Sequence, residues 1–153
     1  MIPLRAALEP GQIVLDLEAV ALPEAVRKLA ETLRSDPRVG SWPELAAAWQ
    51  AKVEGPGLPV RAGVAFVHAR TKAVSELVMS FGRLHTPVAD GGEPIQFILL
   101  IGIPKAIDAE YARLVGALMR VLRDQRLCNA FRGAKRPEEV LTILERAEAA
   151  VTS

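Results

Sequence analysis

The run Ile95-Gln96-Phe97-Ile98-Leu99-Leu100-Ile101-Gly102-Ile103-Pro104 decides how the rest of this 153-residue chain is read. Between Ile95 and Ile103 only Gln96 and Gly102 interrupt the large apolar side chains. A strand with one wet face alternates apolar and polar residues, whereas a run without alternation reads as a strand covered on both faces. The run is too short to span a bilayer, and Pro104 closes it. It therefore predicts a central strand, and such a strand needs helices over both faces.

The flanking sequence supplies those helices. Upstream, Leu22, Val26, Leu29, Ala30 and Leu33 fall on one helical face, with Pro23 in the first turn. Ser41-Trp42-Pro43-Glu44 reads as a capping box that starts a helix running through Trp49 towards Val53. Trp42 and Trp49, on one side of that helix, read as core packing, with a partner-docking patch as the alternative. Downstream, Asp108 is placed to cap a helix carrying Tyr111, Leu114, Val115, Leu118, Met119 and Leu122 at helical spacing. A break at Arg132-Gly133 precedes a last helix opened by Pro137-Glu138-Glu139 and striped by Val140, Leu141, Leu144 and Val151.

Further strands are predicted at Ile13–Leu17, at Val64-Ala65-Phe66 and over Glu76–Phe81. The breakers in Gly55-Pro56-Gly57-Leu58-Pro59 make a loop, Asp90-Gly91-Gly92 marks a turn, and His85 beside Thr86-Pro87 reads as a solvated loop histidine. The order β-α-α-β-β-β-α-α implies an α/β (α+β) chain, residues 1–153 as a single domain, with a mixed rather than all-parallel sheet.

Composition narrows the function classes. Half of the residues are apolar, 24% are charged and the net charge is +1, so nothing favours nucleic acid as a partner. Aromatic residues make up 5%, which also argues against base-stacking surfaces. Cys128 is the single cysteine, which excludes an internal disulfide and a cysteine-rich zinc site; it reads as a buried small hydrophobe. No stretch reads as membrane-inserted, and the first ten residues lack the basic and apolar regions of a signal peptide, so a cytoplasmic protein is expected.

The candidate chemistry lies in Gly63-Val64-Ala65-Phe66-Val67-His68-Ala69-Arg70. No phosphate-binding glycine loop, HExxH or GxSxG motif occurs, and His68 and His85 lack metal-ligand spacing, so no metal or other cofactor is expected. His68 closes a short apolar strand. A neutral imidazole is a nucleophile able to carry a covalent group, and Arg70 is a guanidinium able to hold an anion. A histidine held by a backbone carbonyl, with no chemistry, stands as the alternative for His68.

The residues around His68 resemble the enzyme IIA domain of the mannitol/fructose type from the bacterial sugar phosphotransferase system, a family that includes nitrogen-regulatory phosphocarriers. The resemblance runs from Leu15-Asp16-Leu17 through the Gly63–Arg70 strand and the run ending at Ile103-Pro104 to the leucine-rich helix after Glu110. It implies that family's fold and a phosphoryl group accepted on His68 from an HPr-type carrier, then passed to an enzyme IIB domain or a regulatory target. Lys52-Val53 stand where the family has Arg-Glu, Gly57-Leu58-Pro59-Val60-Arg61 replace its Ser-Thr-Gly-Ile-Gly loop, Val67 replaces the proline before the histidine, and Tyr111 matches a second histidine. The resemblance makes Lys52, Arg61, Arg70 and Tyr111 the expected phosphoryl-stabilising residues, the three cations as one anion pocket against simple surface solvation, and Tyr111 as a hydrogen-bond donor against a core tyrosine with a satisfied hydroxyl. Two other functions remain on the same fold: a regulator that binds a partner without phosphorylation, and an anion- or nucleotide-binding module.

Overall fold

A computed structural model describes residues 4–55, 58, 60–89, 92–106, 109, 112, 113, 115, 116, 120 and 124–152, without the side chains of Leu4, Arg5, Arg61, Val151 and Thr152. Strands β1 (Ile13–Leu17), β2 (Val60–Arg61), β3 (Val64–Thr71), β4 (Val78–Val88) and β5 (Ile95–Pro104) form one sheet in the order β1-β4-β5-β3-β2. Strand β5, the long apolar run, lies at its centre. It is antiparallel to β4 and parallel to β3, while β1 is parallel to β4 and β2 antiparallel to β3. The sheet is mixed, as the element order predicts.

The helices are α1 (Leu4–Ala7), α2 (Leu22–Ala30), α3 (Trp42–Glu54), α4 (Gln125–Gly133) and α5 (Pro137–Thr152). Ala109, Ala112, Arg113, Val115, Gly116 and Arg120 are helical as well. The alternation of β5 and β3 divides two cores. On one face Ala65, Val67, Ala69, Ile98 and Leu100 pack under Val26 and Leu29 of α2 and Leu45 and Trp49 of α3. On the other, Phe66, Leu99 and Ile101 pack under Phe131 of α4 and Val140 and Leu144 of α5. Phe81, Phe97 and Phe131 meet there with ring centroids 4.9 to 6.1 Å apart.

One glycine sets how closely α3 approaches. A Cβ at Gly102 would lie 2.8 Å from Val78 Cγ2 and 3.2 Å from Leu45 Cδ1, so the missing side chain lets α3 lie close against β5. The Trp49 indole then reaches the sheet and donates to the Ile101 carbonyl at 3.0 Å.

Several expectations are corrected. Strand β4 runs 11 residues to Val88 rather than ending at Phe81. The polar Arg83 and His85 alternate with buried Leu84, the pattern of a half-covered strand, and Pro87 falls in the irregular stretch between the Arg83 and Val88 pairings. His85 therefore sits on a strand and not in a loop. Ser41 does cap α3 by position, but its side chain makes no capping hydrogen bond. Asp124 opens α4, accepting from the Arg126 N–H, and divides what reads as one helical stretch. The Asp108 cap, most of the Tyr111–Leu122 stripe, the prolines of the Gly55–Pro59 loop and the Asp90-Gly91 turn lie outside the described residues.

Candidate functional site

His68 is not at the end of its strand. It is an interior residue of β3, paired with Ile101 of β5, and three more residues follow before the strand ends at Thr71. Its position has a consequence for orientation. Successive side chains alternate, so His68 and Arg70 share the face of Val64 and Phe66, the one covered by α4 and α5. Val67, next to it, points into the opposite core. His68 is half-buried, and among the described residues its ring makes no hydrogen bond.

Burial pushes the His68 imidazole below its ordinary pKa of 6.5, and the charge of Lys52 lowers it further. At neutral pH the ring is therefore uncharged, with one nitrogen lone pair free for attack. Lys52 lies in the last turn of α3, exposed, on the helix that covers the face opposite His68. Strand β2 pairs with β3 only at Val64 and Ala65, so among the described strands β3 is the sheet edge from Phe66 onward. Lys52 influences His68 through its field.

The other expected residues fall in different places. Arg70 is exposed and donates both Nε and Nη2 to the Lys105 carbonyl, at 2.9 and 2.7 Å. Arg61 pairs through its main chain with Val64 in the β2–β3 hairpin, and its side chain is not described. Tyr111 lies outside the described residues. Lys52 and His68 are thus linked electrostatically, and Arg70 shares the His68 face. The Lys105 main chain was missed in the sequence. A main-chain acceptor leaves no side-chain motif, and the only signal was Pro104 closing β5.

His85 lies elsewhere, on β4, where its Nδ1–H donates to Asp16 Oδ1 of β1 at 2.7 Å. Cys128 is buried, which pushes its thiol pKa up and leaves it unreactive. Among the described residues no helix is long and apolar enough to cross a membrane.

Comparison with known proteins sets this geometry in context. The family model for the phosphoenolpyruvate-dependent sugar phosphotransferase system, EIIA 2, matches residues 7–147. A nitrogen regulatory protein of Bradyrhizobium diazoefficiens is 24% identical over 85 residues, which are 54% of this chain and 56% of that protein. The match thus spans about half the length of that curated relative. The crystal structure of the nitrogen regulatory protein IIA-Ntr from Neisseria meningitidis superposes with a TM-score of 0.79 at 23% identity, covering 92% of this chain and 98% of that one. The mannitol enzyme IIA of Escherichia coli, solved in complex with phosphorylated enzyme IIB, gives a TM-score of 0.72 at 20% identity over 90% of this chain and 96% of that one.

Proposed function

Because this chain belongs to the EIIA 2 family of the phosphoenolpyruvate-dependent sugar phosphotransferase system, we propose that His68 accepts a phosphoryl group and passes it on. The observation that carries this reading is a half-buried imidazole in the interior of β3, whose pKa burial and then the charge of Lys52 lower. In the forward step a lone-pair nitrogen of His68 forms a bond to phosphorus. The bond from phosphorus to the donor's histidine nitrogen breaks, and that nitrogen keeps the electron pair. The phosphoryl oxygens carry their negative charge within the field of Lys52, which favours them throughout the loose transition state of such a transfer. Arg61 and Tyr111 are the proposed further contacts of those oxygens, Tyr111 as a neutral donor.

The donor is an HPr-type phosphocarrier. The acceptor is an enzyme IIB domain or a regulatory protein, the second favoured by the likeness to nitrogen regulatory proteins. Incubation with a phosphorylated HPr-type donor should give an acid-labile, base-stable phosphate on the protein. No label on the wild type, or equal label on His68→Ala, would end this reading.

Lys52-Val53 in place of Arg-Glu favours a second reading, a regulator that binds its partner without phosphorylation. Lysine keeps the charge but loses the bidentate fork. A partner bound equally by the unmodified protein and by His68→Glu would support it; binding that changes on phosphorylation would exclude it.

A further inference from the structure

Among the described residues Trp49 is the largest fully buried side chain. Its bulk alone suits core packing, but a buried indole also needs an acceptor for its N–H. The acceptor lies outside its own helix: Nε1–H donates to the Ile101 carbonyl of β5 at 3.0 Å. Ile101 is the residue that pairs with His68 across the parallel β3–β5 ladder. The indole thus ties α3 to the rung of the sheet that carries His68.

Lys52 follows Trp49 by three residues on α3, so the two are neighbours on the helix surface. Val53, the next residue, packs against the same core as Trp49, Ala65 and Val67, so the last turn of α3 lies along the sheet. Lys52 is exposed there, and its charge acts on the His68 ring. The strength of such an interaction depends on the separation of the two groups, and the depth of α3 on the sheet sets that separation. Two features fix the depth. One is the missing side chain of Gly102, where a Cβ would stand 3.2 Å from Leu45 Cδ1. The other is the Trp49 bond.

We propose that Trp49 is a positioning residue of the phosphoryl site: its bond to the Ile101 carbonyl fixes α3 against the His68 rung and so sets the distance from the Lys52 ammonium to the imidazole. This rests on the reading of His68 as phosphoryl acceptor. It gives the tryptophan a task beyond the core packing that its sequence position suggests. Phenylalanine fills much of the same space but has no N–H, and it takes this donor from the Ile101 carbonyl.

A double-mutant cycle tests the coupling. Lys52→Gln is made in the wild type and in Trp49→Phe. In each background the His68 pKa is read by NMR from the ring resonances, and labelling at saturating phosphorylated HPr-type donor is timed. Trp49→Phe should slow labelling about 10-fold, the scale on which small misplacements act. In that background Lys52→Gln should raise the His68 pKa less, and slow labelling less, than it does in the wild type. Equal effects of Lys52→Gln in both backgrounds overturn the proposal, since a tryptophan that only fills the core would give them. Gly102→Ala leaves the indole in place and pushes on Leu45 of α3, so it decides the matter if Trp49→Phe does not fold. The Lys52 effect should weaken there as well, and an undiminished effect overturns the proposal. If wild type itself takes no label, the phosphoryl reading of His68 fails separately, and the titration alone decides whether Trp49 places the lysine.

Discussion

The two histidines lie in one sheet and face opposite circumstances. His68 is half-buried in β3, where burial and the charge of Lys52 act on its ring. His85 is exposed in β4, and its ring meets the carboxylate of Asp16 from the neighbouring parallel strand. Each stands on a strand next to a parallel partner, so strand geometry does not separate them. The surroundings do. A cation and an apolar bed keep an imidazole neutral and nucleophilic, whereas an exposed carboxylate partner occupies one ring nitrogen and leaves the pair to solvent.

The widest separation between the two is expected in labelling. His68→Ala should abolish acid-labile phosphate from a phosphorylated HPr-type donor, while His85→Ala should label as wild type does. Label surviving on His68→Ala and lost on His85→Ala would invert the comparison.

Lys52 offers the next largest effect. Lys52→Gln should slow labelling about 10- to 100-fold, the range in which removal of one stabilising group falls. It should also raise the His68 pKa, and Lys52→Glu should raise it more, read from the ring resonances against pH. A His68 titration indifferent to both variants would remove Lys52 from the site.

Stability against pH gives a smaller effect with a definite sign. The folded His68 pKa lies below its ordinary 6.5, so the unfolded chain takes up a proton first as pH falls. Stability contributed by the neutral ring is therefore present above 6.5 and declines as pH drops from there towards the folded value. One proton limits this slope to about 1.4 kcal/mol per pH unit. His68→Gln should flatten the decline in urea unfolding just below pH 6.5. That window is clear of Asp36, whose carboxyl the Arg38 guanidinium, bonded at 2.6 Å, holds down at about 2.

The smallest effect belongs to the exposed pair. Asp16→Asn should change the unfolding free energy by less than about 0.5 kcal/mol, and less again in high salt. A larger loss would show that His85 shares in holding β1 to β4.

The sequence made some of this legible and hid the rest for physical reasons. The almost wholly apolar run of β5 and the helical stripe of Leu22, Val26 and Leu29 are local patterns, and both lie buried where expected. His68 stood out because so little other chemistry competes with it. The adjacency of β3 and β5 was not legible, since a parallel pairing that skips β4 depends on long-range packing. The tie from Arg70 to a main-chain oxygen follows from that adjacency and was equally hidden. The length of β4 was missed because His85-Thr86-Pro87 carries turn-forming residue types while continuing a strand. The placement of Lys52 opposite His68 came from family resemblance, as no spacing rule joins a helix end to a strand edge.

The pairing of β3 with β5 also orders events during synthesis. Val64 and Ala65 can pair with β2 at once, but Phe66 must wait for Leu99 and His68 for Ile101. Until β4 and β5 have followed, the rest of this hydrophobic strand is paired with β2 only at its first two residues. Loop closure over that distance slows pairing, and an unpaired apolar strand is where a growing polypeptide risks association with its neighbours. Helices α2 and α3 are already translated by then, and their apolar sides are available to shelter Ala65 and Val67 on the ribosome.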